Sequence, residues 1–244
     1  MNSEKKFVIG IIVATIVLLV GAVWFLGKSD TSSSNTGKSV ALSEDQQKLL
    51  EVVSDDYIKG NKEAKVTIVE YLDFECEACG AYYPVVKALM DEFGQDVRFV
   101  TRYFPLPGHK NSVPAALAVE AAAKQGKYWE MHDLLFTEQR NWGEKPSADP
   151  KIFEGYAKSL GLNMEQYAKD ISSKEVKERV LRDKNAGTRL GISGTPTFFV
   201  NGSKIPNPKG LEDFKTFIKA ELQKSTPLDA NKESSASSST SPTP

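Results

Sequence analysis

The chain has 244 residues, 40% hydrophobic and 26% charged, ordinary globular material for one to two domains. A net charge of −1 with both signs interspersed gives no electrostatic ground for an acidic substrate or nucleic acid, and no nucleic-acid partner is expected. Both cysteines of the chain stand together in one short stretch, FECEACGAYYP (74–84).

Residues 1–6 carry Lys5 and Lys6 and precede an uncharged run, FVIGIIVATIVLLVGAVWFL (7–26). As a helix this run would rise roughly 30 Å, enough for a bilayer core. A cleaved signal peptide has a shorter apolar core, and no clean A-x-A site follows here. The run therefore reads as an uncleaved single-pass anchor in the cell membrane, with Trp24 at an interface. Its basic N-terminus is expected in the cytoplasm and the remaining chain outside, where disulfide chemistry is possible. Residues 27–42 include SDTSSSNTGK and read as a flexible linker. Residues 43–224 read as one domain. The Ser-, Thr- and Pro-rich segment 225–244 reads as a disordered tail.

Within the domain, leucines and valines in helical rhythm between Ser43 and Asp56 predict a short leading helix or arm. VTIVEYLDF (66–74) predicts a buried strand, residues 76–93 a helix with Pro84 as a kink, and VRFVTRYF (97–104) a second strand. Ser112 is expected to cap a helix with Pro114 in its first turn, ended by Gly126. Asp149-Pro150 opens another helix to Leu160, closed by Gly161. Ser172 and Glu175 stand at capping-box spacing and open a helix to about Leu190, with Gly191 at its end. Residues 195–205 pair as two strands around the turn Asn201-Gly202, and 211–224 form a final helix. Strand, helix and strand make a βαβ unit. The hairpin can complete the same sheet antiparallel, and the block at about 112–190 is a helical insertion. The fold class is therefore α/β with a central mixed sheet.

Cys76-Glu77-Ala78-Cys79 admits three readings. A closed zinc site needs four ligands, and only His109 and His132 remain, in no ligand spacing, so no metal is expected. A structural disulfide closing so small a loop constrains the unfolded chain little. A redox dithiol explains the placement best. Where the strand gives way to the helix, free N–H groups and the positive end of the helix dipole meet Cys76 and favour its thiolate, the attacking species. Cys79, one helical turn on, is placed to resolve a mixed disulfide formed at Cys76.

VTIVEYLDFECEACGAYYP followed far downstream by GISGTPTFFVNG resembles the thioredoxin fold. The helical block between them, DDYIKGNKEAKVTIVEY before them and AVEAAAKQGKYWEMHDLLF (118–136) resemble the DsbA-like branch, secreted or membrane-tethered thiol–disulfide oxidoreductases. The resemblance runs from Asp55 to Lys224. It implies a redox-active disulfide between Cys76 as nucleophile and Cys79 as the partly buried resolving thiol. It also implies a cis Pro196 beside them, with the Thr195 backbone turned toward a bound peptide that adds as a short strand. Glu70 falls where the family keeps a buried acid. A raised pKa would let it take and return the proton of Cys79.

No cofactor is expected. The resemblance implies a monomer acting on exported cysteine-containing proteins and re-oxidised by a quinone-linked membrane protein, DsbB-like or vitamin K epoxide reductase-like. Glu77 and Ala78 stand where strong oxidants place Pro and His or Tyr. Asp73 and Glu75 add negative charge expected to raise the Cys76 pKa and moderate the oxidant. A reductase or isomerase of the same fold, or a tethered binding module without turnover, are the competing functions. His109 reads as a solvated loop residue and His132 as core. Arg98 and Arg102 either face the acid behind the disulfide or are exposed.

Overall fold

The computed structural model describes residues 42–143, 145–146 and 150–224. The anchor expected at 7–26, the linker before Leu42, Asp149 and the tail at 225–244 lie outside the described residues. Among the described residues no helix is long and apolar enough to cross a membrane.

Five strands form one mixed sheet in the order β1-β3-β2-β4-β5. The central strand β2 (Val66–Leu72) and its parallel neighbour β3 (Val97–Tyr103) are buried along almost their whole length, as strands covered on both faces must be. Helix α2 (Glu77–Phe93) makes the crossover between them. It follows α1 (Glu44–Lys48), a short helix closed by a capping box between Ser43 and Gln46. The hairpin β4 (Thr197–Val200) and β5 (Ser203–Lys204) adds antiparallel to β2, with Asn201 and Gly202 both at positive φ in its turn. Strand β1 (Tyr57–Gly60), which the sequence pattern did not announce, pairs antiparallel with the outer edge of β3.

One sheet face carries Val66, Ile68, Val97, Phe99, Phe198 and Val200 against α2 and the final helix α9 (Leu211–Lys224). The other carries Val69, Tyr71, Val100 and Phe199 against Leu50, Leu190 and Ile192. The helical block centres on α3 (Ser112–Ala123), which buries alanines all round its circumference, so neighbouring helices approach it from several sides. Around it lie α4 (Tyr128–Thr137), α5 (Gln139–Trp142), α6 (Pro150–Ser159), α7 (Met164–Ser172) and α8 (Lys174–Arg189).

Two expected helix starts move. Ser173, not Ser172, caps α8 by accepting from the Val176 N–H, while Ser172 ends the separate helix α7. Ser112 is the first residue of α3 rather than its cap, because its hydroxyl is committed to Asp73.

Candidate functional site

The chain leaves β2 at Leu72, turns through Asp73, Phe74 and Glu75, and enters α2 with Cys76 at the N-cap. Both thiols are free; Cys76 is 8% exposed and Cys79 1%. Cys76 makes no capping hydrogen bond of ordinary geometry, yet the amides of Ala78 and Cys79 lie close enough to its sulfur to favour thiolate. The Cys79 thiol, donating to that sulfur, has the largest effect. Together with Thr195 and these amides it outweighs burial and brings the Cys76 pKa down to about 5. Cys79 moves the opposite way, pushed up by burial, by its hydrogen bond to Cys76 and by the charge of Glu70.

Across the site, the Thr195–Pro196 peptide bond is cis, and the Thr195 carbonyl lies 3.4 Å from Cys76 Sγ. The Thr195 hydroxyl is buried without a hydrogen-bond partner. One residue therefore offers an acceptor to the thiol and a donor to the thiolate. Glu70 continues the Val66–Ile68 side of β2, between Thr101 and Phe198 on the neighbouring strands, and is 5% exposed. Burial, and secondarily the Cys76 charge, push its carboxyl up to about 8. The sequence-derived residues Cys76, Cys79, Glu70, Thr195 and Pro196 are thus brought to one place.

The acids of the turn have partners of their own. Asp73 and Glu75 are buried and turned into the helical block rather than toward Cys76. Asp73 accepts from the Glu75 N–H, Leu106 N–H and Ser112 hydroxyl, and its Oδ2 lies 2.7 Å from His109 Nδ1. Glu75 accepts from the backbone and side-chain amides of Asn111. Their charge is held by these partners on the side away from Cys76, whose pKa lies below the ordinary thiol value. His109 is correspondingly no free loop residue. Burial works against its charge, but the hydrogen bond and charge of Asp73 dominate and raise its pKa, with Glu75 and Cys76 adding to the effect.

A further contact comes from α5. Gln139 Nε2 donates to the carbonyls of Phe74 at 2.7 Å and Cys76 at 2.9 Å. Sequence reasoning passed over Asn111 and Gln139 and read Ser112 only as a helix cap, since nothing local marks a polar residue whose partner is supplied by a distant turn. The basic residues of β3 stay away from Glu70. Arg102 is buried on Asp56 and the carbonyls of Leu49 and Glu51, and Arg98 reaches Thr67 and the Lys62 carbonyl. His132 packs among Phe74, Tyr83, Trp129 and Phe136, as expected of a core residue. Among the described residues no cluster of three or more potential metal ligands forms.

The sequence matches the family described as Thioredoxin over residues 53–220. A thioredoxin-like oxidoreductase from Silicibacter pomeroyi DSS-3 superposes with a TM-score of 0.62 at 27% identity, covering 75% of this chain and 99% of that one. Oxidised BdbD from Bacillus subtilis gives 0.62 at 27% identity, covering 69% and 93%. Wolbachia pipientis α-DsbA1, at 23% identity and a TM-score of 0.64, shares the fold over 73% of this chain and 96% of that one. Among curated proteins, the Na(+)/H(+) antiporter NhaA 3 of Salinispora tropica is 39% identical over 158 residues, 64% of this chain. The match spans 23% of that antiporter's own length.

Proposed function

The chain belongs to the thioredoxin family, and from that premise we propose that it is a thiol–disulfide oxidoreductase forming disulfides in exported proteins, tethered outside the cell membrane. The observation that carries the reading is the pair of thiols at the mouth of α2, with Cys76 acidified chiefly by the Cys79 thiol, facing Thr195, and Cys79 buried before Glu70. The antiport named for the curated relatives is no part of it, since the match spans about a quarter of their length.

In the oxidised resting form a client thiolate attacks the Cys76 sulfur of the Cys76–Cys79 disulfide. The S–S bond breaks, and Cys79 leaves with the electron pair. A neutral Glu70 carboxyl, held uncharged by burial, supplies its proton. A second client thiolate then attacks the client sulfur of the mixed disulfide and expels Cys76. Two electrons have passed from the client's two thiols to the Cys76–Cys79 pair. Cys76 departs as thiolate, and a thiol of low pKa leaves fast. The same acidity stabilises the reduced form and favours oxidation of clients over their reduction. Return to the disulfide takes two electrons out, the task of a quinone-linked membrane partner.

With Cys79 replaced by Ala in the producing cell, the Cys76 thiolate attacks client disulfides and no Cys79 thiol returns to expel the client, so mixed disulfides accumulate on Cys76. The expected result is mixed disulfides with exported proteins, resolved by mass spectrometry, and none when Cys76 is replaced as well. The purified oxidised protein is expected to oxidise a reduced two-cysteine peptide, with a reduction potential more negative than about −120 mV. A protein that traps nothing and leaves the peptide reduced is a binding module, and the reading fails.

A further inference from the structure

We propose that Gln139 is a positioning residue for the thiol chemistry: its side-chain amide, laid against Gly80, holds the turn that aims the Cys76 sulfur at the amides of α2. The inference rests on the thiol–disulfide reading above and adds a residue to it, 63 positions from Cys76 in sequence.

Three observations carry it. First, both hydrogens of one Nε2 are used, on the Phe74 and Cys76 carbonyls, which bracket the Glu75–Cys76 segment. The Cys76 carbonyl also accepts the Gly80 N–H at 3.1 Å, the first bond of the helix that acidifies the sulfur. Fixing these two carbonyls fixes the direction in which the Cys76 side chain leaves the turn. Second, Gly80 has no backbone reason to be glycine. It sits inside α2 without a positive φ, where alanine is the better helix former. Third, a Cβ at position 80 would come within 2.2 Å of Gln139 Oε1 and 2.9 Å of its Cδ, and its third contact, at 3.2 Å, is Nε2 of the same side chain. The glycine makes room for the glutamine amide.

The Gln139 side chain is flexible, so a methyl at position 80 displaces that amide rather than unfolding the helix. Gly80→Ala should therefore reproduce the loss of Gln139 while favouring the helix, which separates thiol tuning from stability.

The experiment compares the full chain with Gln139→Leu, Gly80→Ala and the double variant. It reads the pH midpoint of Cys76 thiolate absorbance, the exchange rate with glutathione disulfide near pH 6, and the thermal midpoint. Both single variants are expected to raise the thiolate midpoint and to slow exchange about three- to tenfold, the scale of one hydrogen bond. The double variant should lose no more than either single one, and Gly80→Ala should melt no lower than the parent. Should Gln139→Leu fail to fold, Gly80→Ala carries the same test. An unchanged midpoint in the folded variants, or losses that add in the double variant, overturns the inference. A parent protein that exchanges nothing while its variants still shift the midpoint overturns the functional reading and leaves the inference standing.

Discussion

Glu70 shows what burial does to a single carboxyl. Its pKa rises from an ordinary 4.5 to about 8, with desolvation as the main cause. A raised folded-state value gives a stability contribution fully present below pH 4.5 and lost as pH climbs through 8. Above that range the fold carries a buried charge at a cost of a few kcal/mol. Glu70→Leu is therefore expected to raise the unfolding free energy by a few kcal/mol at pH 9 and by much less at pH 5, measured by denaturant titration. The same variant should slow peptide oxidation about a hundredfold, the low side of a lost proton relay. This residue was legible in the sequence because an acid inside IVEYL has nowhere to go but the core. His109 was not. Its partner Asp73 lies 36 positions away, and only their 2.7 Å contact makes the loop histidine part of the site.

At the scale of elements, β2, α2, β3, the hairpin and the last helix could be read because periodicity and turn chemistry agreed there. Strand β1 escaped because Tyr57–Gly60 is four residues with no alternation to count; its pairing with β3 makes it a strand. The α7–α8 boundary was misread by one residue. Ser172 and Ser173 are equally good caps on paper, but only Ser173 has the extended backbone that lets Oγ meet the Val176 N–H. Ser173→Ala is expected to cost about 1 kcal/mol of unfolding free energy. Ser172→Ala, whose hydroxyl returns to carbonyls of its own helix, should stay within about 0.5 kcal/mol. Chemical denaturation of the two variants side by side decides it.

For the molecule as a whole, the leading arm is tied down by charge as well as by Leu50. Asp56, its side chain fully enclosed at 0% exposed, meets Arg102 from β3 at 2.7 Å and Arg179 from α8 at 3.4 Å. Arg179 also pairs with Asp183, which accepts the Tyr103 N–H. Removing one member of such a set leaves buried charge uncompensated, so Asp56→Asn should lower stability by roughly 3–5 kcal/mol. The Cys76 thiolate midpoint should not move, and urea melts with thiol titration on the same sample check both halves. None of this network was visible in sequence, where Arg102 reads as facing the acid behind the disulfide or as exposed.

The wall that faces Cys76 is made by Thr195, 119 positions later in the chain. During synthesis the nucleophile therefore emerges long before the residue that completes its surroundings. Until the hairpin segment arrives and docks on β2, Cys76 has neither the carbonyl nor the hydroxyl opposite it. A chain that has not yet reached Thr195 lacks one of the hydrogen bonds that favour the Cys76 thiolate, while Cys79, the largest contributor, is already in place.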